Sequence, residues 1–287
     1  MKRFLWGNGA ALASAALVGI FTVLNKWLLV AQVPPLTAGA WTYAAAGVAL
    51  SPWALRARGL RFNKPVIAVL WLLAGSVAGP SLYFIGLSMT TGVEGVLLVN
   101  TEAVFTALLA FVFFKESVNR TTVWASLAIL AGAVWLSSSG GRLLSTNGLG
   151  NLLIALGYLG WATENNLGRI LGEDVPATTL VCLKALVAGV VMALLAALFG
   201  EPIGVPWRVV PGIVASGGLS LGASLALFYV AMRYIGAGRT GLISSTSTLW
   251  GVIGAIFLLG ESLTLPVVGG GLLMLAGVAV FVKQDAR

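Results

Sequence analysis

A shift of 145 residues lays the second half of this chain over the first. The stretch Leu82 to Ser117, LYFIGLSMTTGVEGVLLVNTEAVFTALLAFVFFKES, falls without a gap on Leu227 to Ser262, LFYVAMRYIGAGRTGLISSTSTLWGVIGAIFLLGES. Glu116 lands on Glu261 and Ser117 on Ser262, and the pairs Leu130/Leu275, Ala131/Ala276 and Gly132/Gly277 keep the register. Five apolar segments separate equivalent points. An odd number of membrane crossings reverses direction, so the two copies are expected to enter a bilayer from opposite sides, as inverted-topology repeats do.

Composition makes those segments membrane spans. Of 287 residues, 59% are hydrophobic and 9% charged, with a mean hydropathy of +0.98, which leaves almost nothing to cover a water-soluble surface. The segments approach or exceed the roughly 20 residues a helix needs to cross hydrocarbon. The expected fold is an all-α integral membrane protein of ten transmembrane helices, at about 7–29, 36–55, 66–88, 92–114, 121–139, 149–170, 177–199, 209–232, 238–259 and 264–283. Residues 1–145 form one five-helix repeat and 146–287 its inverted partner. The 37 glycines suit close helix packing, and the connections carry helix-breaking chemistry, as in Val33-Pro34-Pro35, Gly140-Gly141, Asp174-Val175-Pro176 and Gly236-Ala237-Gly238. The first segment begins with Lys2 and Arg3 but is too long for a signal peptide, and it carries Asn25-Lys26 near its end. It reads as a retained span.

Lys and Arg set the orientation. With the N-terminus inside, thirteen of the 17 cations fall on the cytoplasmic side, among them Arg56, Arg58, Arg61, Lys64, Lys115 and Arg120. Arg142 and Arg208 lie outside, and Lys26 and Lys184 sit within spans. This strong positive-inside bias places both termini in the cytoplasm and the chain in the cytoplasmic, or inner, membrane. The net charge of +8 then faces anionic lipid, so membrane lipid is the expected partner and nucleic acid is not. The single Cys182 excludes an internal disulfide, and the absence of histidine removes the commonest metal ligand and proton shuttle. No metal or other cofactor is expected, and any proton coupling must use carboxylates or lysines.

Charged side chains inside spans are the sharpest functional signal, because each costs about 2.5–3.5 kcal/mol near a helix centre and persists only beside a wet cavity or a partner. Glu102, beside Asn100 and Thr101, sits at the middle of the fourth span and is a candidate for the substrate pathway. Glu164 and Lys184 lie six or seven residues from the cytoplasmic ends of spans six and seven, where they can pair, either as a structural ion pair or as a gate. Lys26 is a candidate gate residue, or one that snorkels to the headgroups. Glu94, in the first turn of span four, suits either a gate or the exposed amides there, and Glu116 and Glu261 read as turn and cap residues.

Neutral polar and aromatic residues extend the list. Ser244-Ser245-Thr246-Ser247-Thr248 puts five hydroxyls at the centre of span nine, at the repeat position of Val99 to Ala103. Some must point inward, unless they bond back to carbonyls one turn earlier. Asn165 and Asn166 add amides that lipid cannot satisfy. Trp6, Trp27, Trp53, Trp124 and Trp207 fall near interfaces as belt residues, whereas Trp161 and Trp250 are mid-membrane and, with Tyr83 and Tyr229, are candidate walls for an apolar or zwitterionic substrate. Gly75 to Gly79 and Gly218 to Gly222 mark packing or rocking interfaces, and Pro80 and Pro211 can bend spans three and eight.

Ten spans, a five-plus-five repeat, and the blocks Asn100 to Ser117 and Ser245 to Ser262, each followed by a glycine-rich helix, resemble the EamA-like branch of the drug/metabolite transporter superfamily. Lys26 and Arg169 look like its basic residues closing the first helix of each repeat. Where many members carry an arginine before an aromatic in span two, this chain has Trp41-Thr42-Tyr43, and no proline follows Glu102. The resemblance implies a secondary transporter exporting small metabolites by alternating access, with its aromatics most like those of bacterial amino-acid exporters. Other metabolites, such as phosphorylated sugars or drugs, stay open as substrates. A membrane-embedded enzyme fits less well, because the carboxylates are scattered with no nucleophile–base pair. No nucleotide-binding loop is present to couple ATP directly. A monomer and a homodimer are both compatible with the small-residue helix faces.

Overall fold

The computed structural model describes residues 2–55, 63–115, 120–137, 146–171 and 177–285, and every regular element among them is helical. Glu116, Arg56, Arg58, Arg61, Arg142 and the turns at Gly140-Gly141 and Asp174-Val175-Pro176 lie outside the described residues, as do the side chains of Lys2, Arg3 and Trp53. α1 (Lys2–Val30) turns through residues 31–34 into α2 (Pro35–Ala54). Pro35 opens α2 at a position where its missing N–H costs nothing. α3 (Pro65–Leu72) runs through a π-helical stretch, Leu73–Ala78, into α4 (Gly79–Met89). Then come α5 (Gly92–Leu98), α6 (Asn100–Phe114), α7 (Arg120–Ser137), α8 (Thr146–Leu171) and α9 (Ala177–Leu198). A short α10 (Val210–Ile213) enters a second π-helical stretch, Val214–Ala223, before α11 (Ser224–Ile235). α12 (Ala237–Ser244), α13 (Ser247–Leu259) and α14 (Leu265–Asp285) complete the chain.

Among the described residues, six helical stretches are long and apolar enough to cross a membrane: 5–30, 65–89, 92–114, 120–137, 178–198 and 207–235. Ser247–Leu259 and Leu265–Val280 are shorter apolar helices. Leucine, valine and phenylalanine side chains cover the outer faces, while polar residues such as Asn25, Thr37, Thr42, Ser76 and Ser216 are wholly buried. Trp6, Trp124 and Trp207 are exposed as interfacial residues would be, whereas Trp27 packs over Gly212.

Four of the stretches expected as plain spans are irregular. The π-helical turns widen the helix at 73–78 and 214–223, where Gly79 N donates to Ala74 O and Ser224 N to Leu219 O, five residues back. Pro80 follows directly on the first of these turns, where the displaced ladder accommodates a residue without an N–H. The stretch 92–114 breaks at Val99 because side chains claim the carbonyls that should continue the helix: Asn100 Nδ2 donates to Leu97 O (2.8 Å) and Thr101 Oγ1 to Leu98 O (2.7 Å). The hydroxyl run makes a like break between α12 and α13, where Thr246 Oγ1 donates to Ile243 O at 2.7 Å.

Helix pairs meet through small residues. α7 lies on α14, where a Cβ on Gly132 would come within 2.6 Å of Gly270 O and one on Gly277 within 2.7 Å of Ala125 O. α2 lies on α9 with Gly189 against Ala44, and α4 on α8 with Gly86 against Gly150.

Candidate functional site

A cavity of about 410 Å3 opens at the centre of the molecule between α1, α2, the α5–α6 break, α8, α9 and the span ending in α11. Each element lends it a limited window: Ser14 to Thr22 of α1, Tyr43 to Leu50 of α2, Tyr158 to Asn165 of α8, Val181 to Ala185 of α9 and Ser220 to Phe228. All these windows lie away from the α1–α2 turn. They lie toward the end of the molecule where α8 finishes and α9 begins, an end closed laterally by packing of Trp71 with Leu171 and Leu180. The cavity therefore reaches from mid-depth toward the end at which α1 starts.

Its polar wall is built on α8. Glu164 and Lys184 form an ion pair, with Lys184 Nζ 2.8 Å from Glu164 Oε1 and 2.7 Å from Oε2. The π-helical stretch presents Gly75 to the Glu164 carboxyl, where an added Cβ would lie 2.5 Å from its Cδ. Ser76 Oγ donates to Lys184 O at 3.2 Å, fixing the backbone of the partner residue. One residue along α8, Asn165 Nδ2 donates to Glu102 Oε1 at 2.7 Å. Glu102 stands in the first turn of α6 because the break at Val99 turns it into the cavity.

The apolar wall is aromatic. Trp161 meets Tyr158 edge to face (5.1 Å between ring centroids) and Tyr83 at a tilt (5.2 Å), and Tyr83 in turn stacks on Phe21 at 6.1 Å. Tyr83 is fully buried behind the lining, and its hydroxyl donates to Thr22 Oγ1 at 2.8 Å. This aromatic layer, with Tyr158, Trp161 and Phe21 in the cavity wall, forms the floor of the cavity.

Beyond the floor, the other end is sealed by polar contacts. Asn25 joins three elements: its Oδ1 accepts from Thr42 Oγ1 (3.0 Å) and Ser216 Oγ (2.9 Å), and its Nδ2 donates to Phe21 O. Lys26 Nζ donates to Leu87 O (3.0 Å) and Thr90 O (2.5 Å), the unpaired carbonyls at the end of α4, and also borders a second hollow of about 430 Å3. Thr90 Oγ1 donates to the buried Glu94 carboxylate. The same hydroxyl lies 2.6 Å from Asn151 Oδ1, so its single proton serves two acceptors. Glu261 caps the start of α5, its two oxygens accepting from Gly92 N (2.6 Å) and Val93 N (2.7 Å). The cap thus serves a helix far away in sequence, not the turn in which Glu261 stands.

The structure thus brings Glu102, Trp161, Glu164, Asn165 and Lys184 into one cavity, with Tyr83 just behind, and gathers Lys26 and Glu94 at the sealed end. Six other candidates lie elsewhere. Asn100 is buried at the helix break, where its Oδ1 accepts from Thr248 Oγ1 at 3.3 Å. Ser244, Ser245 and Thr246 occupy the α12–α13 break, outside the cavity lining. Tyr229 (37% exposed) and Trp250 (40%) face the outer surface. Sequence reasoning missed Phe21, Thr22, Tyr43, Tyr158 and Phe228 as lining residues. Phe228 was within reach, because it is the repeat position of Tyr83.

The model describing the EamA-like transporter family matches the chain over residues 5–138 and 148–283. The chain belongs to the EamA-like transporter family. An uncharacterised transporter of Methanothermobacter thermautotrophicus is 28% identical to it over 297 residues, covering 97% of this chain and 86% of its own. The uncharacterised transporter YyaM of Bacillus subtilis is 25% identical over 174 residues, or 58% of this chain and 56% of its own. One solved crystal structure superposes with a TM-score of 0.66, covering 99% of this chain and 97% of that one, at 20% identity, a likeness of fold. Family and relatives make this EamA-like protein a multi-pass membrane transporter of small molecules, with lipid around it.

Proposed function

We propose that the protein is a secondary transporter that exports amino acids with apolar or aromatic side chains across the cytoplasmic membrane by alternating access. The chemistry of the central cavity carries this reading. Two carboxylates and one ammonium stand on one wall and an aromatic shelf on another, inside a volume of about 410 Å3. That is within the roughly 300–1,000 Å3 usual for small-molecule sites. A zwitterion needs both signs of charge, and an apolar side chain needs the shelf. A phosphorylated sugar would call for several cations, whereas among the described residues Lys184 is the one cation in this lining and Glu164 already holds it.

Ten spans in two inverted five-helix repeats, 1–145 and 146–287, belong to the same proposal. The family match falls in two pieces of similar length. The π-helical stretch at 73–78 shifts by 145 residues onto 218–223, within the second stretch, and Val99 shifts onto Ser244, at the second break. The α7–α14 contact Gly132 to Gly270 becomes Gly277 to Ala125 under the same shift with the roles of the repeats exchanged. These coincidences support a two-fold relation of the halves. Both termini lie in the cytoplasm by the distribution of Lys and Arg, so the cavity opens inward. A proton gradient or exchange against another solute supplies the energy.

The test is uptake and counterflow of a labelled amino-acid panel in proteoliposomes, with and without an imposed pH gradient. Saturable counterflow of apolar or aromatic amino acids is expected. Folded protein that moves none of the panel overturns the substrate assignment.

A further inference from the structure

We propose that the Lys184–Glu164 ion pair is an exchangeable reader of the substrate's charged ends: Lys184 takes the substrate carboxylate, while Glu102 takes its ammonium. The inference rests on the amino-acid reading above and assigns the residues that select for it.

The two members of the pair are unequally placed. Both line the cavity, but the Lys184 side chain is 20% exposed and that of Glu164 7%, so the lysine is the more accessible member. Glu164 is backed by Gly75 and stays where it is. Lys184 spends two of its three donors on the Glu164 oxygens, leaving the third for an incoming carboxylate. Across the same wall, Glu102 receives among the described residues one hydrogen bond, from the neutral Asn165 amide, and no cation within ion-pair distance. Both Lys184 and Glu164 lie within electrostatic reach of it. Among the described residues the lining thus carries one more carboxylate than ammonium, with the surplus at Glu102. A zwitterion adds its ammonium at the surplus carboxylate and its carboxylate at the cavity-facing lysine. Every charge then has an opposite neighbour, and the total is unchanged. Trp161 and Tyr158 close the third side, where the side chain lies.

A merely structural ion pair would tolerate reversal and leave ligand choice alone. The experiment therefore measures binding by purified protein, using L-phenylalanine, N-acetyl-L-phenylalanine, L-phenylalaninamide and phenethylamine as probes. Wild type is expected to bind phenylalanine at least about 100-fold more tightly than phenethylamine or the two blocked derivatives, the discrimination a buried charge contact supplies. Glu164→Lys combined with Lys184→Glu keeps a pair but turns a carboxylate toward the cavity, and it is expected to prefer phenethylamine over phenylalanine. Glu164→Gln with Lys184→Gln, a neutral pair of similar shape, is expected to bring those two ligands within a few-fold of each other. A reversed or neutral variant that keeps the wild-type order overturns the inference. So does wild type that binds phenylalanine and phenethylamine alike, an outcome that leaves the amino-acid reading standing. Folded wild type that binds none of the four overturns the amino-acid reading itself, and the inference with it.

Discussion

Glu164 stands in the cavity wall, and two neighbours fix it there: Lys184 supplies the ion-pair partner and Gly75 the space. Filling that space with Gly75→Val should push the carboxyl off its partner. Overpacking of this kind lowers stability by about 1–3 kcal/mol, readable as a drop in unfolding temperature of the purified protein. Glu102→Gln and Trp161→Ala each alter one side chain of the cavity wall, and both should insert normally and lose at least about tenfold in counterflow rate, the loss expected when one charged or one aromatic contact goes. Normal flux in both variants contradicts the placement of the site. At this scale the sequence was informative where charge was concerned. Glu102, Glu164 and Lys184 stand out because membrane burial of a charge is expensive, and all three meet in one cavity. Aromatics carry no such penalty, so depth alone did not separate Tyr229, on the outer face, from its neighbour Phe228, on the inner one.

The interrupted helices do the positioning. Val99 marks the break that swings Glu102 into the cavity, and the break is held by Asn100, whose amide nitrogen takes Leu97 O while its oxygen accepts from Thr248 Oγ1. Asn100→Leu removes both side-chain contacts, so it should cost about 1–3 kcal/mol in unfolding measurements and impair transport although Asn100 lines no part of the cavity. Glu261→Gln keeps the size of the α5 cap and removes its charge, with an expected loss of about 1 kcal/mol. The all-helical class and the six long apolar stretches were legible from length and hydropathy, but their interruptions were not. No glycine or proline marks Val99, and a side chain that competes for a helical carbonyl looks in sequence like any polar residue within a span. The hydroxyl run showed the same ambiguity: Thr246 bonds back to Ile243 O, the structural alternative, and Thr248 reaches the opposite break.

At the scale of the whole molecule the two ends differ. Toward the end where α1 begins, the cavity is lined to Ser14, Leu50 and Val181. Toward the other, the aromatic floor is followed by the Asn25 node, the Lys26 contacts to α4 and the Glu261 cap on α5. The repeat in the sequence predicts an inverted architecture, but a symmetry between halves contains no information on which end is closed. That asymmetry comes from residues the shift does not reproduce: Lys26 maps to Leu171, and Glu94 to Arg239, of opposite charge. Lys26→Met removes the donor from the Leu87 and Thr90 carbonyls and should favour opening of the sealed end. The most direct test of alternating access is thiol labelling of Leu225→Cys, a lining position, in a Cys182→Ala background, with an impermeant reagent added to either side of oriented vesicles. The account predicts reaction from the cytoplasmic side alone at rest, and from the opposite side as well during counterflow or when Lys26→Met is added. Labelling confined to one side under every condition would contradict it.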